Sequence, residues 1–301
     1  MLTMLTGLAA LPSNIAHRQG FKNGPNFQEA AMVCRKLFLA WAVIVLVAAA
    51  FAQVPQQTTM SAAPTATTNA CQSTFTFGSG QTLFNFCISS NGNLVQFTSP
   101  EGFEHIREGQ ISEGYGICDI TPQTGYFDYA DSGGSGNWKD PIITQPGGAN
   151  TFPLKITRTT SDGIFTLAQV FSRNTSERIA RIAMTLKNNS GVVKKIQLLR
   201  FADIDANNAH NGDLMNEFDF GTDSAWGYNS FEYGLSLSTV PTGTSHVGRV
   251  WSTTSSGPNP CNSFPNRPPT PFFGDGSAGI VYGFTLAAGK SKTLSVEYQR
   301  F

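Results

Sequence analysis

The 301-residue sequence is 40% hydrophobic and holds 23 Phe, which excludes an intrinsically disordered chain and leaves ample material for a buried core. Only 13% of residues are charged, and 20 basic residues balance 20 acidic ones. With no basic field to attract a phosphate backbone, nucleic acid is not an expected partner.

Residues 1–31 precede a second plausible start at Met32 and lack the pattern of a domain, so they are expected to be an over-extended start of the reading frame. Arg35 and Lys36 then introduce "LFLAWAVIVLVAAAFA" (37–52), which ends in Ala50-Phe51-Ala52. A charged start, an apolar stretch and an A-x-A ending predict a secretory signal peptide over 32–52, and export to the periplasm or the extracellular space. The apolar run is shorter than the roughly 20 residues that span a bilayer, so membrane contact is expected only if this segment stays uncleaved. Residues 53–70, rich in Thr, Ala, Gln and Pro, read as a flexible linker.

Cys71, Cys87, Cys118 and Cys261 remain beyond the leader, and an even count in an oxidising compartment predicts two disulfides. Three pairings are open. No C-x-x-C pair is present, which argues against zinc and against a thioredoxin-like redox site.

From Cys71 to the C-terminus, period-two runs recur between turn signals and no helical period appears. The expected fold is all-β: one antiparallel β-sandwich domain over 71–301. "STFTFGSGQTLFNFC" (73–87) predicts two strands around a Gly-Ser-Gly turn, and "NLVQFTSP" (93–100) another. "PLKITRTTSDGIFTLAQVFSRN" (153–174) predicts a hairpin whose Ser161-Asp162-Gly163 supplies the turn. In 178–201, Ala180, Ile182, Met184 and Leu186 share one strand face, Asn188 to Gly191 turn the chain, and a second strand returns. "GPNPCNSFPNRPPTPFF" (257–273) is too rich in Pro for a central strand and reads as a long surface loop, held to the body through Cys261. A last hairpin is expected over 279–301. Stepping back by two from the terminal Phe gives Gln299, Glu297, Ser295 and Thr293, which excludes the outer-membrane barrel pattern.

"MTLKNNSGVVKKIQLLRFADID" (184–205) and "GFTLAAGKSKTLSVEYQ" (283–299) resemble exported bacterial β-sandwich proteins of the carbohydrate-active super-sandwich type. The resemblance implies the architecture and a polysaccharide or cell-envelope setting. It transfers no catalytic residue.

Several constellations bear on chemistry. Asp203 and Asp205 fall two residues apart on one strand face, and Asn207 and Asp213 follow, an oxygen-rich set of the kind that holds calcium. Asn208 and Leu214 stand where an EF-hand would place Gly and Glu, so a solvated turn competes with the metal reading. Paired carboxylates for glycosidase acid–base work are offered by Glu101, Glu104, Glu108, Glu113, Asp119, Asp128, Asp131 and Asp219, with His105 and His210 as proton carriers. No pair stands out, and neither G-x-S-x-G nor H-E-x-x-H occurs. Trp226 and Tyr228 are candidate sugar-stacking residues, and Trp138, Trp251, Tyr126 and Tyr129 share their polar, Gly-rich contexts. The expected function is binding of carbohydrate or a cell-envelope component. A carbohydrate-active enzyme (hydrolase, lyase or epimerase) using carboxylates or His in a sheet cleft and a structural surface protein are the alternatives, and the missing nucleophile and metal motifs favour binding.

Overall fold

The computed structural model describes residues 71–106, 112–131, 133–174, 178–206, 215–219, 221–252, 257–262 and 271–300. The expected early start, leader and linker lie outside the described residues, as do Glu108, Asn207, His210 and Asp213. No described helix is long and apolar enough to cross a membrane.

The described chain is nearly all antiparallel strand, with one 3-10 turn at Gly80–Thr82. In chain order the strands are β1 (Cys71–Phe77), β2 (Phe84–Ser89), β3 (Leu94–Thr98), β4 (Gly114–Asp119), β5 (Thr124–Tyr129), β6 (Gly133–Gly134), β7 (Ile142–Thr144), β8 (Leu154–Thr159) and β9 (Phe165–Asn174). They continue as β10 (Ile179–Asn188), β11 (Lys194–Ile204), β12 (Met215–Asp219), β13 (Ser224–Tyr228), β14 (Gly234–Val240), β15 (Val247–Ser252), β16 (Phe272–Phe273), β17 (Gly276–Leu286) and β18 (Ser291–Arg300). A nine-stranded sheet runs β16-β12-β13-β14-β18-β10-β9-β8-β7, a six-stranded sheet runs β15-β17-β11-β4-β5-β6, and β1-β2-β3 form a third.

The two large sheets bury their alternating apolar positions against each other. Leu167, Ile182, Met184, Leu237 and Val296 come from the nine-stranded sheet, and Ile117, Ile196, Leu198, Ile204 and Ile280 from the six-stranded one. The expected alternation of Ala180, Ile182, Met184 and Leu186 is therefore the core face of β10. Strand β11 is covered on both sides. Its Leu199 and Phe201 join Phe127, Tyr129 and Val281 in a second cluster on the opposite face of the six-stranded sheet. Burial on both faces is why apolar residues stand at successive positions, Leu198-Leu199 and Phe201-Ala202, rather than in strict alternation.

That second cluster is roofed by 257–262. Cys118 is disulfide-bonded to Cys261, and Tyr129 Oη donates to the carbonyl of Pro258 at 2.8 Å. Pro260 rests on Gly116, where an added Cβ would lie 3.0 Å from the proline ring; the absent side chain is what admits the loop. The other disulfide joins Cys71 to Cys87 within the β1–β2 hairpin.

The hairpins expected over 73–87 and 153–174 form as β1–β2 and β8–β9, with Gly163 in the second turn at φ +77°. The hairpin expected over 279–301 does not. Strand β17 pairs with β11 and β15, while β18 pairs with β10 and β14 in the other sheet. The turn after β10 likewise leads into β11, across the sandwich. Both connections are sheet-to-sheet crossovers: the apolar faces of β10 and β18 meet β11 and β17 across the core, which hides them as well as lying side by side would.

A polar layer runs through the core. Arg200 and Glu113 are both fully buried and ion-paired, with Arg200 Nε to Glu113 Oε1 at 2.6 Å. Glu113 also accepts from Tyr298 Oη at 2.6 Å and from the Leu94 amide, while Arg200 donates to Gln169 Oε1 at 2.6 Å and to the carbonyl of Gly92. Alongside, Arg158 pairs with Asp128, whose two oxygens also accept from Asn91 and Asn93. The turn between β2 and β3 is thus plugged between the large sheets by charge-assisted hydrogen bonds.

Candidate functional site

Trp226 and Tyr228 lie on β13, and strand alternation turns both outward while Ala225 faces the core. The register sets their neighbours. Tyr228 stands beside Met215 of β12, which stands beside Phe273 of β16; Trp226 stands between Glu217 of β12 and Ser236 of β14. Neighbouring cross-strand residues lie about 5 Å apart and residues two apart on a strand about 7 Å. The outer face therefore carries a shallow strip of Trp226, Tyr228, Met215 and Phe273, bordered by Glu217. Phe273 is 74% exposed, and Phe231, in the turn after β13, is 75% exposed. Trp226 and Tyr228 are each half-buried, so the strip presents only part of either ring beside its polar neighbours.

Phe272 and Phe273, expected in a surface loop, form the two-residue edge strand β16 instead. Nothing local marks Phe273 or Met215 as partners of Tyr228. The only legible hint is the alternation of Met215 and Glu217 with core-facing Asn216 and Phe218.

Most carboxylates weighed for acid–base work are committed elsewhere. Glu104 accepts from the amides of Phe97 and Ile106 and from Thr98 Oγ1, and Glu101 accepts from the Gly80 amide. Asp119 pairs with Lys194, Asp219 caps its own turn through the Gly221 amide, and Glu113 and Asp128 lie in the core layer. His105 is fully buried with Nε2 against the Ser99 carbonyl at 2.9 Å; burial pushes its pKa down, and the imidazole is a neutral structural group. Tyr126 and Tyr129 are core residues, Trp138 packs partly buried against the core, and Trp251 holds a register position opposite Ser277.

Asp203 and Asp205 are buried, against the expectation of a solvated turn. Asp203 projects from β11 on the face shared with Phe201, and its Oδ1 accepts from Ser277 Oγ at 2.7 Å. Asp205 is 4% exposed at the strand's end. Of the expected calcium set, Asn207 and Asp213 fall outside the described residues; among the described residues no group of three His, Cys, Asp or Glu comes together as metal ligands.

Burial, with a further push from Asp275 and against the Ser277 hydrogen bond, raises the Asp203 carboxyl from 3.8 to about 7. The folded protein thus keeps a proton that the unfolded chain releases near pH 4. The stabilising contribution is full below that pH and is lost as pH rises from about 4 to about 7. The shift corresponds to about 4 kcal/mol across that window. In urea titrations Asp203→Asn should remove most of this slope; an unchanged slope would show that Asp203 titrates normally.

No protein-family model matches the chain, and no curated protein matches it in sequence. Solved structures do match in fold. A bacterial glucoamylase complexed with acarbose aligns over 80% of this chain with a TM-score of 0.52 and 9% identity, but only over 33% of its own length, so the chain spans about a third of that protein. A putative aldose 1-epimerase from Escherichia coli K12 aligns over 76% of this chain and 99% of its own at a TM-score of 0.48 and 10% identity. An aldose epimerase homologue from C. elegans aligns over 76% and 98% at 0.45 and 9%. The fold is an all-β sandwich of the kind present in the glucoamylase.

Proposed function

We propose that the protein is an exported carbohydrate-binding module whose domain, residues 71–301, holds glycans on the strip of Trp226, Tyr228 and Phe273 without altering them. The observation that carries this reading is the cross-strand register that sets three outward aromatic residues on one sheet face, with Phe273 74% exposed at its edge. The fold shared with a glucoamylase solved with acarbose supports a sugar setting. Two disulfides, as expected of an oxidising compartment, support export together with the apolar leader at 32–52.

The test is a glycan array probed with the purified protein, with and without calcium, because Asp203, Asp205, Asn207 and Asp213 remain the set a calcium ion would use. Trp226→Ala should weaken binding by about 2 kcal/mol, roughly 30-fold, as expected for loss of an aromatic anchor. Retention of full affinity would move the ligand off this face, and no binding at all would favour a structural surface protein.

A second reading, a carbohydrate-active enzyme, is favoured by the fold shared with the glucoamylase, with Asp203, a buried carboxyl that accepts from Ser277 Oγ and whose pKa burial raises, as the candidate for proton transfer at a sugar. Turnover of any bound glycan that disappears in Asp203→Asn, with the melting temperature retained, would establish it.

A further inference from the structure

The two sheet-to-sheet crossovers form a charged platform that neither the aromatic strip nor the core layer uses, and we infer that this end of the sandwich docks on an anionic lipid surface. The contact would not depend on the apolar leader. Residues 187–195 (KNNSGVVKK) and 286–292 (LAAGKSK) together hold five lysines and no acidic residue. The register sets the two segments side by side, with Lys187 opposite Ser291 and Lys194 opposite Leu286. Buried Asn188 locks them together. Its amide donates to the carbonyl of Lys290 at 2.9 Å, and its Nδ2 donates to the carbonyls of Val192 at 2.7 Å and Leu286 at 3.1 Å. Of the five lysines, Lys194 is matched by Asp119 at 2.5 Å. Lys187, Lys195, Lys290 and Lys292 are exposed, and none is ion-paired with a carboxylate among the described residues. Asp162, on the adjoining β8–β9 turn, is taken up by Tyr126 Oη at 2.6 Å and the Ile164 amide at 2.9 Å. Lys292 lies over the Phe284 ring, 4.9 Å from its centroid.

Four unmatched lysines on two interlocked turns call for an anionic partner, and the apolar residues among them identify its kind. Val192 and Val193, in the β10–β11 connection, are each 60% exposed. Two adjacent apolar side chains in a turn gain nothing from water, whereas the boundary of a bilayer accepts them while its headgroups meet the surrounding charge. Lysine suits this partner in a second way. It is a compact point charge on a flexible stem, able to reach lipid phosphates that have no fixed arrangement. A carboxylate or sulfate fixed on a polysaccharide is better held by the planar fork of Arg, and neither segment contains one.

The test is co-sedimentation of the full protein with vesicles of phosphatidylcholine alone and of phosphatidylcholine mixed equally with phosphatidylglycerol. The leader is common to parent and variants, so the comparison between them isolates the platform. The parent should prefer the anionic vesicles, and the preference should fade as salt rises. Each of Lys187→Gln, Lys195→Gln, Lys290→Gln and Lys292→Gln should weaken binding to the anionic vesicles by about fivefold, and the quadruple variant should lose the preference. Val192→Ser with Val193→Ser should weaken it by about tenfold, because less apolar surface enters the interface. All variants should melt as the parent does, since every substituted side chain is exposed. Binding to the anionic vesicles that is absent, unchanged in the quadruple variant, indifferent to the two valines, or matched by binding to soluble polygalacturonate would overturn the inference. The glycan reading, tested at Trp226, stands or falls separately.

Discussion

Replacing Arg200 by methionine should destabilise the protein by about 3–5 kcal/mol, the range expected when one partner of a buried ion pair is removed and the other charge stays behind. Glu113 would then be held in the core by Tyr298 Oη and the Leu94 amide alone, with no cation to balance it. The acceptors Gln169 Oε1 and Gly92 O would lose their donor as well. For a domain of this size the cost corresponds to a fall in melting temperature of about 6–20 °C. The double variant Arg200→Met with Glu113→Gln should lose less than the two single variants together, because it removes the orphaned charge along with its partner. Thermal melts and urea titrations of all three give the coupling directly. A single-variant loss below about 1 kcal/mol would mean that solvent reaches Glu113 readily when Arg200 is gone, and the layer would not be the closed unit that its geometry implies.

The second large effect concerns the roof over the six-stranded sheet. Cys118 and Cys261 are separated by 143 positions, Cys71 and Cys87 by only 16. In the chain-entropy account a cross-link closing a loop of the longer kind contributes about 5 kcal/mol, and one of the shorter kind about 3 kcal/mol. Substituting Cys118 and Cys261 together by serine should therefore cost more than substituting Cys71 and Cys87. It should also free 257–262 from Tyr129 and Gly116, so that limited proteolysis cuts there first. Equal losses for the two pairs, with no new cleavage near Pro260, would show that packing of the prolines alone seats the loop.

The strands themselves were legible in the sequence because alternation is a local property. Ala180 to Leu186 and Leu294 to Tyr298 announce their inward faces without help from distant residues. Pairing is not local. The Asn-Asn-Ser-Gly and Ala-Ala-Gly-Lys turns look like hairpin turns, yet each passes the chain from one sheet to the other, since the same turn serves a hairpin or a crossover and only distant partners decide. The stretch from Arg200 to Asp205 resisted reading for a related reason. Charged residues in a strand signal a solvated face, but here Arg200 is neutralised in the core and Asp203 is sheltered beside Ser277 on a face that is covered as well. The aromatic strip was half legible: Trp226 and Tyr228 stand out in a polar context, whereas Phe273 reaches them only through a two-residue strand more than forty positions along the chain.

The lengths of the outermost strands have a further consequence. Of the four ends of the two large sheets, β16 and β6 are two residues long and β7 three, with Pro271 immediately before β16 and Pro141 immediately before β7. An open row of amides and carbonyls templates the addition of foreign strands, and rows this short, next to residues without an amide hydrogen, offer almost nothing to extend. Both ends of the nine-stranded sheet are thus blunted against the addition of a foreign strand, whereas β15, at one end of the six-stranded sheet, keeps a six-residue edge.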